Sequence, residues 1–548
     1  ALARLRGEFG VGHAARKRLL VLQVLSGTLT SAGEIVAFHE LLCFMAAYPD
    51  DDALAALARL SLLGFLSHFA TALVRHRVAL TNSGIRGTAI EFRFFAPTAR
   101  WLAERWPERL RVVWDEFEND ERLAALLPLF AHAAESPALD EYDFGGRGWI
   151  DRMRGSHTDA TFLIDAFGRL AASETVREIE WDTLDVPIRL EPGPGTPNRT
   201  VAGIVTAPLH FQSEPLARSR PDLARALREP PHALRMLPAS EGRRYIDLAR
   251  EAMVARERDL DAFAYGNPRD VRLVDYPDGL QFACIGVVPE RRLLLEAVYG
   301  YLTLKNGIPI GYVLTSALYG SSEIAYNVFE TWRGVDAAAV YARVLAMTRL
   351  IFGSTTFTIY PYQLGDGNDE ALASGAWWFY YKLGFRPRDA ATRRRVAIET
   401  ERMKRRPGHR SSRATLASLA RENLYWQPGA ERDDVIGRLP LANVGLAVTK
   451  FLAGDRDVHA HAARAAVRLG VRSLRGASPS ERMAWERWAP LICVLPGLER
   501  WSTTERRALI EVVRAKGGEC ESEFVRRFDS HRRLRAAIAR MARSHIPD

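Results

Sequence analysis

The stretch LLEAVYGYLTLKNGIPIGYVLTSAL, residues 294–318, decides how the centre of this chain folds. Two runs of β-prone residues, 294–304 and 308–318, flank the dipeptide Asn306-Gly307. Asn and Gly tolerate the positive φ angles of a tight two-residue turn, so this dipeptide between two such runs is a strong hairpin signal. The stretch therefore predicts two neighbouring strands joined by a short turn.

The sequence on either side of the hairpin continues with further strands and helices. Residues 271–275 and 280–288 resemble strands around a Pro-Asp-Gly turn. After the hairpin, the predicted elements are a strand at 323–330, a helix at 336–352, a strand at 355–360 and a helix at 369–382. The last helix is expected to stop at Gly384. This order predicts a mixed sheet with helices, an α+β domain.

The rest of the chain is predicted to be mostly helical. Apolar residues recur at helical spacing through 1–187, apart from a short extended piece at 89–95, and again from 414 onward. The prolines and glycines of 191–198 cannot continue a helix and mark a boundary. The predicted division is a helical N-terminal domain at 1–190, an irregular linker at 191–240, the central sheet domain at 241–395, a basic linker at 396–413 and a helical C-terminal domain at 414–548.

Two motifs in the central domain resemble signatures of the GNAT superfamily of N-acyltransferases. Val328-Phe-Glu-Thr-Trp-Arg-Gly334 resembles the end of the family's fourth strand, where Arg-Gly opens a loop into a helix. Phe379-Tyr-Tyr-Lys-Leu-Gly-Phe385 resembles the family's Tyr-x-x-Leu-Gly-Phe signature. Together with the element order, the resemblance covers residues 271–387 and implies a GNAT-like fold.

The resemblance implies an N-acyltransferase that moves an acyl group from a thioester, acyl-CoA, to an amine. In the family a loop and a helix N-terminus hold the donor's pyrophosphate, because unpaired amides and the helix dipole favour an anion. The donor-binding residues implied here are Val328, Phe329, Arg333, Gly334, Ala338 and Asn368. Tyr380 would protonate the leaving thiolate, and Glu323 or Glu330, seven residues apart at the ends of the predicted strand, would take the proton of the amine.

Aromatic and amide side chains near the end of the 355–360 strand suggest the walls of an acceptor pocket. Tyr360, Tyr362 and Gln363 end this strand, and Trp377 belongs to the dense aromatic run 377–381. Packing against the sheet or a neighbouring domain is the alternative interpretation of the run. No metal site is predicted. The acceptor, whether small molecule, peptide or protein, and the oligomeric state stay open.

Two departures from the family pattern leave other functions open. Asp336 stands where the family's loop has its middle glycine, and it could instead cap the following helix. The family's asparagine is displaced, and Asn368 is the nearest candidate. One alternative is a non-catalytic GNAT-like module within a helical protein that binds nucleic acid or another protein. Another is a transferase whose donor is aminoacyl-tRNA rather than CoA.

The charge distribution bears on those alternatives. The chain carries a formal net charge of +9, and its most basic part, 386–413, holds eleven basic and three acidic side chains. Such a segment is either a solvated linker or a contact for phosphates in RNA, DNA or CoA. Pro407-Gly408 predicts a loop there.

Other sequence features narrow the class of protein. The chain has four cysteines, all far apart in sequence, which argues against a disulfide framework or zinc and suits a reduced, cytoplasmic setting. The apolar run 19–25 is shorter than the roughly 20 residues of a membrane span, so no membrane partner is expected. Neither a P-loop motif nor a Gly-x-Ser-x-Gly elbow occurs.

Overall fold

The structure is a computed structural model that describes residues 1–204, 208–216, 220–334, 336–471 and 476–544. The chain divides into two compact units. The first comprises Ala1–Pro215, Arg244–Tyr265 and Leu304–Ile310, and the second comprises Leu216–Arg243, Gly266–Thr303 and Gly311–Asp548. Within the described ranges, no helix combines the length and the apolarity needed to cross a bilayer.

The strands, numbered along the chain, are β1 Ile90–Phe92, β2 Leu110–Val112, β3 Ile188–Leu190, β4 Ala233–Met236, β5 Gly266–Asp275, β6 Leu280–Val287, β7 Ala297–Lys305, β8 Ile308–Leu318, β9 Ser321–Val328, β10 Thr356–Ile359, β11 Arg386–Pro387 and β12 Leu424–Trp426. The α-helices of the N-terminal half are α1 Leu2–Leu5, α2 Val11–Leu25, α3 Ala32–Ala47, α4 Asp52–Leu63, α5 Phe65–His68, α6 Ala70–Arg75, α7 Ala96–Arg105, α8 Asp120–Phe130, α9 Ser136–Glu141, α10 Gly145–Met153, α11 Asp159–Arg169, α12 Glu174–Leu184, α13 Leu223–Ala226, α14 Ala239–Val254 and α15 Asp261–Ala264. Those of the C-terminal half are α16 Ala337–Phe352, α17 Pro361–Leu364, α18 Asp369–Ser374, α19 Ala376–Leu383, α20 Ala390–Arg405, α21 Arg413–Ala420, α22 Ala442–Leu452, α23 Val458–Leu469, α24 Pro479–Val494, α25 Thr503–Lys516, α26 Glu521–Ser530 and α27 Arg532–Arg543.

The first unit is mostly helical and contains a small three-stranded sheet in the order β1-β3-β2. Both outer strands pair antiparallel with β3. The extended piece predicted at 89–95 contains β1, whereas β2 lies in sequence predicted to be helical and β3 lies at the end of the domain predicted to be helical. Each strand is three residues long, too short to show a period of its own in the sequence.

The large sheet has nine strands in the order β11-β12-β10-β9-β8-β7-β6-β5-β4. Its antiparallel pairs include β4 with β5, β5 with β6, and β8 with β9, whereas β9 and β10 run parallel. The predicted α+β class with a large mixed sheet is therefore confirmed. The turn at Asn306-Gly307 has positive φ angles of 48° and 79°, the conformation that this dipeptide was predicted to supply.

The parallel pair β9–β10 is joined over a short distance only. Its paired residues run from Ser321 with Thr356 to Glu323 with Thr358. Strand β10 ends one residue later, at Ile359, while β9 continues for five residues beyond Glu323 to Val328. The carboxyl end of β9 therefore extends past its pairing with β10, and this geometry positions the site described below.

Three predicted elements differ from the structure. The strand predicted at 323–330 occupies Ser321–Val328, and Glu330 belongs to a 3₁₀ turn, Glu330–Trp332. The helix predicted at 369–382 is split into α18 and α19 by Gly375, whose φ of 69° is left-handed. The loop predicted at Pro407-Gly408 is present, but most of the basic segment is helical, because α20 forms there and is capped by Asp389, whose carboxylate accepts from the Thr392 amide at 2.6 Å.

A buried ionic network joins the C-terminal helices to the sheet within the second unit. Lys516 of α25 donates to Glu521 of α26 at 2.5 Å and to the Glu296 carbonyl at 2.9 Å. Arg292 donates to the carbonyls of Lys516 and Gly518 at 2.7 and 2.6 Å. The Lys516 and Glu521 side chains are 4% and 0% exposed, so this pair is fully removed from water.

Candidate functional site

A cavity of about 320 Å³ lies at the carboxyl end of β9 in the second unit. One wall is the end of β9, and the others come from the chain before α16 and from α17, α18 and α19. The predicted site residues among its lining are Val328, Arg333, Gly334, Gln363, Asn368 and Tyr380. Residues separated by up to 52 positions in sequence thus surround one space.

The amino-terminal end of α16 borders this cavity. Gly334 has a left-handed φ of 77°, and no described atom lies within 4 Å of the point where its Cβ would stand. Asp336 occupies the N-cap position with a φ of 48°, but its side chain makes no capping hydrogen bond. The first amides of this 16-residue helix are therefore not satisfied by the carboxylate that the sequence offered as a cap.

Charged and amide side chains connect the walls of the cavity. Arg333, from the chain after β9, forms an ion pair with Glu370 of α18. Both side chains are about half-exposed, at 42% and 51%, so water screens the pair and it contributes little to stability. Asn368 accepts a hydrogen bond from the Ala371 amide at 3.0 Å, which caps α18 and fixes that wall.

Tyr380 lies on α19, a helix that begins after one left-handed glycine, Gly375, and ends before another, Gly384. The residue is 3% exposed, and its ring packs edge-on against Tyr341 with centroids 5.5 Å apart. Burial raises the pKa of Tyr380 above that of a free phenol. The hydroxyl is therefore held in its protonated form.

Buried polar atoms near the cavity have no hydrogen-bond partner within the described part of the chain. The Oδ1 atom of Asn327, a lining residue, is one of them. The hydroxyl of Tyr341, which packs against Tyr326 and Tyr380, is another. Because an unpaired buried polar group costs roughly 1–3 kcal/mol, these atoms mark places where a bound molecule would be favoured.

A second cluster lies where β9 and β10 are paired. Glu323 of β9 stands opposite Ser316 of β8, and the Ser316 hydroxyl is 3.5 Å from Glu323 Oε2. The carboxyl of Glu296, which precedes β7, is close enough for its charge to act on Glu323. Burial, and after it the nearby Glu296 carboxyl, raises the pKa of Glu323 to about 7.

Tyr360 connects this carboxyl cluster to the cavity. Burial, followed by the charges of Glu323 and Glu296, raises the pKa of Tyr360 to about 12. Tyr360 immediately precedes α17, and its carbonyl accepts from the amide of Gln363 at 3.0 Å. Because Gln363 lines the cavity, one short turn of chain joins the two sites.

The other predicted site residues lie outside the cavity lining. Phe329 is 2% exposed and packs near Tyr312. Trp377 is 0% exposed, and its Nε1 donates to the Leu419 carbonyl at 3.1 Å, which makes it a core residue. Tyr362 is 59% exposed, Ala338 is half-buried in the first turn of α16, and Glu330 is exposed beyond the end of β9.

Two residues of interest were not predicted from the sequence. Asn327 follows the aromatic Tyr326 in a strand, where the sequence pattern alone does not distinguish a solvated amide from a buried one. Glu296 is 27 residues from Glu323, and only the arrangement of the sheet strands brings the two together. No local motif could have linked them.

Across the described ranges, no group of three or more His, Cys, Asp or Glu side chains is arranged to hold a metal ion. In the second unit, a larger ligand has space in the cavity at β9, beside the start of α16, where the Asp336 side chain makes no capping hydrogen bond. No family model, curated protein or solved structure matches this chain.

Proposed function

We propose that the second unit is a GNAT-like N-acyltransferase that transfers an acyl group from a thioester, acyl-CoA, to an amine. The observation that carries this proposal is the arrangement at β9. The strand pairs with β10 over three residues and then extends past it beside a cavity of about 320 Å³ that Tyr380 helps to line.

The residues present fit a thioester with a phosphorylated carrier arm. The recorded pairing of β9 with β10 ends at Glu323, and an extended arm that lay along β9 beyond this point would continue the sheet as an added strand does. The start of α16 supplies amides that the Asp336 side chain does not cap, and Gly334 leaves open space beside them. A helix start of this kind favours a phosphate group, while the Asp336 charge opposes it.

The chemistry follows from two side chains. The amine nitrogen attacks the thioester carbonyl carbon, a C–N bond forms and the C–S bond breaks. Glu323, with a pKa of about 7, accepts the proton lost by the amine, and Tyr380 donates its proton to the sulfur that leaves as a thiol. The products are an amide and the free thiol, and the proton taken by Glu323 restores Tyr380 through solvent. Most of the rate enhancement comes from holding the two reactants together.

The proposal is tested by ligand-dependent melting and by thiol release. Acetyl-CoA at 100 times its Kd should stabilise the protein by about 2.7 kcal/mol. With a panel of amines, thiol release should appear and should fall by roughly 10²-fold or more in Tyr380→Phe. Tyr381→Phe, on the same helix but outside the cavity lining, is the matched control. Absence of both melting shift and thiol release with millimolar acyl-CoA would reject the proposal.

A second candidate function is binding of a nucleic acid, with aminoacyl-tRNA as the donor or with no catalysis at all. It is favoured by exposed cations in 386–413. Lys404, Arg406 and Arg410 have no acidic partner within 4 Å in the described part of this chain. The segment contacts the cavity walls, since Arg413 pairs with Asp369 of α18 and the Trp378 indole donates to Ser411 at 3.0 Å.

Fluorescence anisotropy with labelled RNA separates the two candidates. Nucleic-acid binding predicts affinity that falls steeply with salt and weakens in Arg406→Ala together with Arg410→Ala. Arg402→Ala is the control, because Arg402 is already paired with Glu399 at 2.6 Å. No RNA binding at low salt would leave acyl-CoA as the donor.

A further inference from the structure

The helical first unit contains a cavity of about 670 Å³ that the proposed reaction does not use. Its walls are the end of α8 with the chain after it, the loop that follows α10, and one face of α11. The α11 face contributes Phe162, Asp165 and Arg169, whose spacings of three and four residues place them in one row along the helix. The volume falls within the range of about 300–1,000 Å³ that is typical of sites for small molecules.

Aromatic and thioether side chains form the apolar part of the lining. Phe162 is 9% exposed, and Phe130 and Met153 are half-buried. Phe130 also packs against Phe167 of α11 with ring centroids 5.2 Å apart, which holds the end of α8 against this helix. An apolar group of a bound molecule would therefore leave water when it enters the cavity, and its burial favours binding.

Two charged side chains of the lining already have partners. Arg154 donates to the Asp151 carboxylate at 3.0 Å and to the His157 carbonyl at 2.8 Å. Glu135 accepts from the His132 amide at 2.7 Å, and the His132 ring accepts from the Glu135 amide in return. These contacts fix the loop after α10 and the chain after α8, so Arg154 and Glu135 shape the cavity.

Asp165 and Arg169 differ from these two residues because they have no partner. They are four residues apart on α11, a spacing at which Asp and Arg ordinarily pair and at which Cβ atoms are about 5–6 Å apart. Within the described part of the chain, neither forms an ion pair or a side-chain hydrogen bond, although Asp165 is half-buried. The cavity therefore presents one carboxylate and one guanidinium, one helical turn apart, that are both open to a ligand.

We propose that this cavity binds a free α-amino acid with an apolar side chain. The Asp165 carboxylate accepts hydrogen bonds from the ammonium group, and the Arg169 guanidinium donates to the carboxylate of the ligand. The ligand's side chain lies against Phe130, Met153 and Phe162. An α-amino acid carries both charges on one carbon atom, which suits an acid and a base one turn apart. A simple anion is repelled by Asp165 and a simple amine by Arg169. The inference concerns the first unit and does not depend on acyl transfer.

Isothermal titration calorimetry on the full chain tests the ligand class with probes that share a phenyl group. The probes are L-phenylalanine, 3-phenylpropanoate, which lacks the ammonium group, and phenethylamine, which lacks the carboxylate. We expect L-phenylalanine to bind at least about 10-fold more tightly than either analogue, because each analogue loses one set of charge-assisted hydrogen bonds. The inference is overturned if neither L-phenylalanine nor L-leucine binds at millimolar concentration, or if an analogue binds as tightly as L-phenylalanine.

Two substitutions assign the binding to this cavity. Asp165→Asn should weaken L-phenylalanine binding by about 10-fold and bind 3-phenylpropanoate at least as tightly as the natural chain does. Arg169→Gln should weaken L-phenylalanine binding similarly and bind phenethylamine at least as tightly. Neither side chain is fully buried, so both variants should melt like the natural chain.

Asp140→Asn is the matched control, because Asp140 is an exposed acid of the same unit that lies outside the lining. It should bind all of the probes as the natural chain does. Equal affinity for L-phenylalanine in the natural chain, Asp165→Asn and Arg169→Gln would overturn the inference, since the amino acid would then be bound elsewhere. The expected pattern supports the inference whether or not the second unit releases thiol from acyl-CoA.

Discussion

Lys516→Met tests how strongly the C-terminal helices depend on the buried ionic network. The substitution keeps a long side chain but removes the charge 2.5 Å from Glu521 and the donor 2.9 Å from the Glu296 carbonyl. The nearest remaining cation is Arg292, whose Nε is 3.9 Å from Glu521. Removing one partner of such a buried pair costs about 3–5 kcal/mol, because the other charge is left unpaired.

The measurement is the free energy of unfolding of the second unit from urea titrations monitored by Trp fluorescence. Lys450→Met, an exposed lysine of α22, is the control and should change stability by less than about 0.5 kcal/mol. The double variant Lys516→Met with Glu521→Leu should recover part of the loss, since the Glu521 charge is gone and Arg292 keeps its hydrogen bonds to the carbonyls of Lys516 and Gly518. Equal losses in Lys516→Met and Lys450→Met would refute the reasoning.

The same variant has a predicted pH dependence. Burial raises the pKa of Glu521 above its ordinary value of 4.5, and the charge of Lys516 is the largest effect that lowers it. In Lys516→Met that effect is lost, so the pKa of Glu521 rises further. A raised folded-state pKa means that folding is penalised once the pH exceeds the unfolded pKa, and that protonation relieves the penalty. The stability deficit of Lys516→Met should therefore shrink as the pH falls toward 4.5, and a deficit that grows would contradict the sign.

Three further outcomes are expected. Gly311→Ala places a Cβ against the backbone oxygen of Asn327, so it should lower the unfolding free energy by about 1–3 kcal/mol. An unchanged urea midpoint would show that β8 and β9 can separate without loss of stability. Trp377→Phe removes the indole donor of the Leu419 carbonyl and should lower the unfolding free energy by about 1–3 kcal/mol in the same assay. If Trp377 acted only in acceptor binding, the variant would raise KM and leave the unfolding free energy unchanged. The kcat/KM for acyl transfer should fall below about pH 7, where Glu323 becomes protonated, and a profile flat down to pH 5 would remove Glu323 from the mechanism.

The parts of the fold that could be predicted are those with a local physical cause. The turn at Asn306-Gly307 follows from two residues that tolerate positive φ, and α16 ends at Gly353, whose φ of 79° terminates the helix. Strand β12 could not be predicted, because its three residues form a strand only through pairing with β10 and β11. The helix α20 was not predicted for a different reason, since a dense run of positive charge is also typical of a solvated linker.

The residues of the candidate site also differ in whether a local sequence pattern could predict them. Tyr380 and Gly334 were suggested by short motifs, and both line the cavity. Trp377 was expected to face a pocket, yet aromatic residues adjacent on a helix point in different directions, and its direction is into the core. The proximity of Glu296 to Glu323 depends on how the strands are arranged in the sheet, which no motif reveals.

The position of β12 has a consequence for how the protein is made. In the sheet β12 lies between β10 and β11, although it follows both in the chain. As the polypeptide leaves the ribosome, β10 therefore exposes an unpaired edge until residue 426 has emerged, and β11 has no strand to join. An open edge of this kind recruits other strands. Nascent chains that stall between residues 388 and 423 should therefore be the aggregation-prone or chaperone-bound species during biogenesis.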